Sequence, residues 1–113
     1  MLRGTTMTIV ALLVSATAAY ADPIEGNWMT ARGETAGIVS CGSAFCISVK
    51  TGIFKGRPIG SMKADGGGKY SGQITDPETN KTYSGSASLS GSTLTMQGCV
   101  LGLFCKSQTW RRI

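Results

Sequence analysis

Three stretches of this chain alternate polar and non-polar residues with a period of two, and that rhythm excludes most folds. Tyr70, Gly72 and Ile74 alternate with Lys69, Ser71, Gln73 and Thr75. Tyr83, Gly85, Ala87 and Leu89 alternate with Thr82, Ser84, Ser86 and Ser88, and Leu94 and Met96 with Thr93, Thr95 and Gln97. A period of two with one polar face describes half-buried antiparallel strands. No stretch beyond residue 21 repeats the three-four apolar spacing of a helix. Turn residues punctuate the runs: Arg32-Gly33, Gly42-Ser43, Gly56-Arg57-Pro58, Asp65 to Gly68, Asp76 to Asn80, Ser90-Gly91-Ser92 and Gly98 to Gly102. Each suits a chain reversal. The strands predicted between them are 25–31, 35–41, 46–51, 58–63, 69–75, 81–89, 93–98 and 106–112. Eight short strands in meander order fit an all-β fold, a small antiparallel up-and-down barrel whose closure removes both exposed sheet edges.

The first 21 residues follow a different pattern. Arg3 precedes an apolar run from Met7 to Ala19, and Ala19-Tyr20-Ala21 offers small residues at both positions a signal peptidase inspects. This is the pattern of a secretory signal peptide over residues 1–21, leaving one mature domain over 22–113. The run is too short for the roughly 20 residues of a membrane span. The expected location is periplasmic or secreted, where disulfides persist. Cys41, Cys46, Cys99 and Cys105 allow three pairings. The hairpin-length loops Gly42 to Phe45 and Val100 to Phe104 favour Cys41 with Cys46 and Cys99 with Cys105. The absence of His and the wide spacing argue against zinc, and a redox enzyme would need Cys-x-x-Cys.

Charge narrows the partners. Eleven basic and six acidic residues become ten and six once Arg3 is removed. A balance this mild allows attraction to an anionic envelope component but lacks the dense basic stripe of a nucleic-acid binder. The basic residues gather between Lys50 and Lys69. There Ile53-Phe54 sits in a loop with Lys50, Lys55 and Arg57, a candidate surface contact whose bland reading is a solvated face. Gly66-Gly67-Gly68-Lys69 is a β turn; a phosphate-binding loop needs a different glycine spacing and Ser or Thr after the Lys.

The ends of the domain suggest how the barrel closes. Gly26-Asn27-Trp28 opens the first strand and Trp110-Arg111-Arg112 ends the last. A Gly-x-Trp with an Arg on the last strand resembles the closing arrangement of lipocalin-like proteins, which implies Gly26, Trp28 and Arg111 as closing residues, the guanidinium lying over the indole. The wider pattern comprises Gly-x-Trp at 26–28, Cys-Gly…Cys at 41–46, and Asp76-Pro77 with Lys81-Thr82-Tyr83-Ser84-Gly85. It continues with Leu94 leading to Gly98-Cys99 and ends in Cys105-Lys106-Ser107-Gln108-Thr109-Trp110-Arg111. Together these resemble the bacterial domain of unknown function 2147 family. The chain departs from that family at Ile47, where Gly is frequent, and in a shorter connection around Lys50 to Arg57. The resemblance implies a small exported β protein of a Gram-negative bacterium and brings no catalytic residues.

Enzyme chemistry is hard to assemble from this inventory. Without His there is no Ser-His or Cys-His pair, and bridged cysteines offer no thiol nucleophile. Asp22, Glu25, Glu34, Asp65, Asp76 and Glu78 fall mainly at strand ends and turns, where Asp caps its own backbone. No metal or cofactor is expected. Two readings remain. In one, the barrel is a module for a small apolar or amphipathic ligand, held among Trp28, Tyr70, Gly72, Tyr83, Gly85, Ala87, Met96 and Trp110, with the small residues opening the space. In the other, the same small residues merely relieve crowding in a filled barrel, and the protein acts through the basic loop of Lys50, Phe54, Lys55 and Arg57.

Overall fold

The alternating runs are strands in the computed structural model, which describes residues 22–101 and 104–113. The expected signal peptide lies outside the described residues. The strands are β1 (Gly26–Met29), β2 (Thr35–Cys41), β3 (Ala44–Val49), β4 (Pro58–Gly66), β5 (Lys69–Asp76), β6 (Lys81–Ser90), β7 (Thr93–Val100) and β8 (Phe104–Arg112). They pair in sequence order, each antiparallel to its neighbour, and β1 meets β8 to close the barrel.

The two ends of the barrel differ. At one end, which we call the closed end, three hairpins turn in two residues each: Gly42-Ser43, Gly67-Gly68 and Gly91-Ser92. Gly67 and Gly68 both have positive φ, the conformation such a tight turn demands. Four longer connections lie at the opposite, open end. The tight turn after β2 corrects one expected detail. Cys41 pairs with Ala44 and Cys46 with Val39, so the Cys41–Cys46 bridge runs diagonally across the ladder. Cys99 and Cys105 are direct partners and are bridged as expected.

The apolar members of the alternating runs point inward. Trp28, Ile47, Val49, Ile59, Tyr70, Leu94, Met96 and Trp110 are buried in one core, with Ile74 and Leu89 packed against it. Ile24, Ala36, Ile38 and Met62 complete it. Ile47, the departure from the family pattern, is thus a core residue.

The closed end is plugged by the segment preceding β1. Ile24 and Trp28 are fully buried, and the Trp28 indole N–H donates to the Ile24 carbonyl at 2.9 Å. Asp22 Oδ1 accepts from the Ile24 N–H at 3.0 Å and from the Tyr70 hydroxyl at 2.6 Å. The guanidinium over Trp28 belongs to Arg112, 4.3 Å from the ring centroid, and not to Arg111 as expected. Trp110 faces inward on β8, so Arg112, two residues on, shares its side, while Arg111 points out. Arg112 also donates to the carbonyls of Glu25, at 3.0 Å, and Pro23. Gly26 makes room for it: a Cβ there would fall 2.9 Å from Arg112 Nη1, at φ +132°.

Two measurements check this end. Arg112→Ala removes a cation–π contact and two charge-assisted hydrogen bonds, and should lower the unfolding free energy by about 2 kcal/mol. Arg111→Ala should stay within about 0.5 kcal/mol of wild type. Burial, and then the hydrogen bond and charge of Asp22, push the Tyr70 hydroxyl from 10.0 up to about 12. The neutral phenol is the form the fold favours, so this contact's contribution is intact below pH 10 and lost as pH rises through 12. Absorbance titration of Tyr70 should show late ionisation that Asp22→Asn brings earlier.

Candidate binding site

The inner faces of the strands fill the barrel unevenly. Near the closed end, Phe45 meets Tyr70 edge-on, with ring centroids 5.9 Å apart, and Ala87 is buried opposite Tyr70 and Met96. Gly72 and Gly85 lie where space is already taken. A Cβ on Gly72 would fall 2.0 Å from the Ser61 carbonyl oxygen, and one on Gly85 2.5 Å from Ile74 Cγ1. The gap expected beside Gly72, Gly85 and Ala87 is therefore absent: neighbouring backbone and side chains fill it. Trp28 and Tyr70, also expected in a pocket, belong to this packed half.

The other half is hollow. A cavity of about 770 Å³ opens at the end carrying the long connections. Its walls are Val49, Ile59, Ile74, Tyr83, Met96 and Trp110, so three of the expected pocket residues, Tyr83, Met96 and Trp110, do line it. Gly98 is the small residue that matters here. A Cβ on it would meet only the Tyr83 side chain, at 3.6 Å, an ordinary contact.

The cavity also opens sideways. β1 pairs with β8 only through Trp28↔Arg112 and Met29↔Arg111. Among the described residues, the remainder of β8 pairs with β7 alone. Phe104, Lys106, Gln108 and Trp110 line the cavity along this strand, and all but Trp110 are exposed. Gln108 is held by the Trp110 indole N–H, which donates to its Oε1 at 3.0 Å. Lys106 forms no ion pair among the described residues. The sequence signal for this wall was available: period two places a Lys and a Gln on the inner face of a barrel strand.

Arg32 organises the mouth. Its guanidinium lies 3.8 Å from Glu34, 3.8 Å from Asp76 and 3.2 Å from Glu78, joining the β1–β2 and β5–β6 connections. It also lies 5.3 Å from the ring centroid of Phe54, and the Arg57 guanidinium lies 5.6 Å from the same centroid. Phe54 is half-buried against the core. Expected as an exposed contact, it instead anchors the β3–β4 connection, and Ile53 beside it is the exposed residue. Lys50 lays its stem over Gly37, whose added Cβ would fall 2.5 Å from Lys50 Cε. Arg57 donates to the Pro77 carbonyl at 3.5 Å. Lys55 is left exposed.

Residues 54–112 match the family model described as "Uncharacterized protein conserved in bacteria (DUF2147)". No curated protein and no solved structure matches the chain. The matched stretch runs from the Phe54 anchor to Arg112 and includes every cavity wall residue named above except Val49.

The contrast between the glycines gives a direct check. Gly72→Ala forces its methyl into the β4 backbone and should cost at least about 1–3 kcal/mol, the usual range for overpacking. Gly98→Ala should be nearly neutral in chemical denaturation.

Proposed function

The chain belongs to this DUF2147 family of uncharacterized bacterial proteins, and we propose that it is a non-catalytic binding module taking one small apolar or amphipathic ligand into the open half of its barrel. The cavity carries this reading. Its volume of about 770 Å³ falls within the roughly 300–1,000 Å³ of small-molecule sites. Its walls pair an apolar interior with a polar mouth, the distribution that suits a ligand with an apolar body and a polar end. The apolar body would lie against Ile59, Ile74, Met96 and Trp110, and the polar end beside Lys106 and Gln108.

The reading is non-catalytic because the chain has no His, its four cysteines are bridged, and the mouth carboxylates surround one guanidinium. Asp22 is held against the Tyr70 hydroxyl in the packed half of the barrel, away from the cavity lining. The two disulfides suit an oxidising, extracellular-type compartment, which supports an exported, periplasmic protein together with the apolar N-terminal run.

An apolar fluorescent probe should bind with roughly micromolar affinity, equivalent to about 8 kcal/mol. Gly98→Leu places its side chain in the void and should abolish binding with little change in unfolding free energy. Ala87→Phe overpacks the filled half and should cost about 1–3 kcal/mol. A wild type that binds no probe, or a Gly98→Leu variant that binds it unchanged, would rule out the cavity as a ligand site.

A further inference from the structure

Large apolar side chains stand in water at the open end of the barrel. Ile53, in the β3–β4 connection, is 88% exposed, and Leu101 and Phe104, flanking the β7–β8 turn, are 88% and 74% exposed. Strand alternation puts both connections at the end where the cavity opens. A single exposed apolar residue is ordinary. Here two separate hairpins of one rim carry them, and cations accompany both. Lys50 and Lys55 bracket Ile53, while Lys81 shares a shallow groove with Leu101 and Lys106 follows Phe104 on β8. The acids of the rim, Glu34, Asp76 and Glu78, gather on Arg32, and six rim cations, Arg32, Arg57 and the four lysines, against these three acids leave this end positive.

We propose that this rim docks on an anionic lipid surface. Ile53, Leu101 and Phe104 enter the headgroup layer, and Lys50, Lys55, Lys81 and Lys106 meet lipid phosphates. Charge complementarity favours this occupant over a second copy of the chain, which would bring positive rim against positive rim. Geometry favours it too. The apolar side chains stand on separate hairpins, so they can enter a deformable phase independently, whereas a protein partner needs one contiguous complementary patch. Docking in this pose turns the cavity mouth toward lipid. The surface shares Phe104 and Lys106 with the cavity wall but requires no ligand in the cavity, and its test keeps the two apart.

The test is flotation of the purified, disulfide-intact protein with phosphatidylcholine vesicles, neutral or carrying about a third phosphatidylglycerol. Binding is expected to the anionic vesicles alone and to fall with added salt. Ile53→Ser, Leu101→Ser and Phe104→Ser together should weaken it at least about tenfold. Leu101→Trp should add an emission that shifts to the blue on vesicles. Gly98→Leu should float like wild type, so an empty result with the cavity probe leaves this proposal standing. Should the triple variant unfold, Lys50→Glu with Lys55→Glu is read in its place. The proposal is overturned if wild type fails to float with anionic vesicles, or if the folded triple variant floats like wild type. It also falls if wild type is a dimer that the triple change dissolves, or if the rim retains only an acidic protein.

Discussion

The barrel depends on one side-chain layer, the Arg112 guanidinium stacked on Trp28. Its ladder closes through only two residue pairs between β1 and β8. Backbone hydrogen bonds contribute about 1 kcal/mol each in net effect, and a seam this short cannot hold an eight-stranded sheet closed by itself. Loss of a fully buried tryptophan costs about 3–5 kcal/mol, and Trp28 is fully buried. Packing across the seam therefore contributes more to closure than the ladder does. Arg112 couples that packing to the plug, because the guanidinium that covers the indole also holds the carbonyls of Pro23 and Glu25. Glu25 extends the link by accepting from the Ser40 N–H at 3.2 Å at the end of β2. The short β1 is thereby tied from below to both strands it must join.

Hollow and filled turn out to describe different parts of the same barrel, and the divide runs between the register partners Gly85 and Gly98. Small inward residues have opposite consequences according to what faces them. At Gly72 and Gly85 the strands and the side chains of Met62 and Ile74 close in until no Cβ fits. At Gly98 the facing Tyr83 stays back, and the missing side chain becomes part of a void. The difference follows from the seam. Near the closed end every strand has two neighbours and the sheet curls tightly. Near the open end β8 has lost β1, and the wall between them is never drawn in.

Period two and turn chemistry made the architecture legible in the sequence: eight strands, their order, the inward set and the local disulfides. Hairpin details were less accessible. Gly42-Ser43 turns in two residues, which moved the start of β3 ahead of Cys46 and set the bridge on a diagonal. The closing arginine was misplaced by one residue although the strand's own alternation decides it, since only Arg112 shares the face of Trp110. The pocket was half legible. Tyr83, Met96 and Trp110 follow from inward alternation, but whether a glycine opens space or lets strands touch depends on the facing strand, which spacing alone does not reveal. Arg32 was missed as a centre because its partners Glu34, Asp76, Glu78 and Phe54 come from three different connections.

Arg32 and Arg112 each tie one end of the barrel, in different environments. Arg112 is half-buried and covers the fully buried Trp28, where a lost partner is costly. Arg32 sits at the surface, its side chain 33% exposed and its partners between 17% and 62%, and ion pairs of that kind contribute about 0–1 kcal/mol each and weaken with salt. The three tight hairpins and the plug stand at the first end; the long connections and the stretch of β8 that pairs with β7 alone stand at the second. Local opening free energy is lowest where buried apolar contacts are few and backbone pairing is incomplete. Both conditions meet around the cavity mouth. The weaker ties, the Arg32 ion pairs and the stretch of β8 paired on one edge only, thus gather at the cavity mouth, while the Trp28 layer holds the fold shut at the other end.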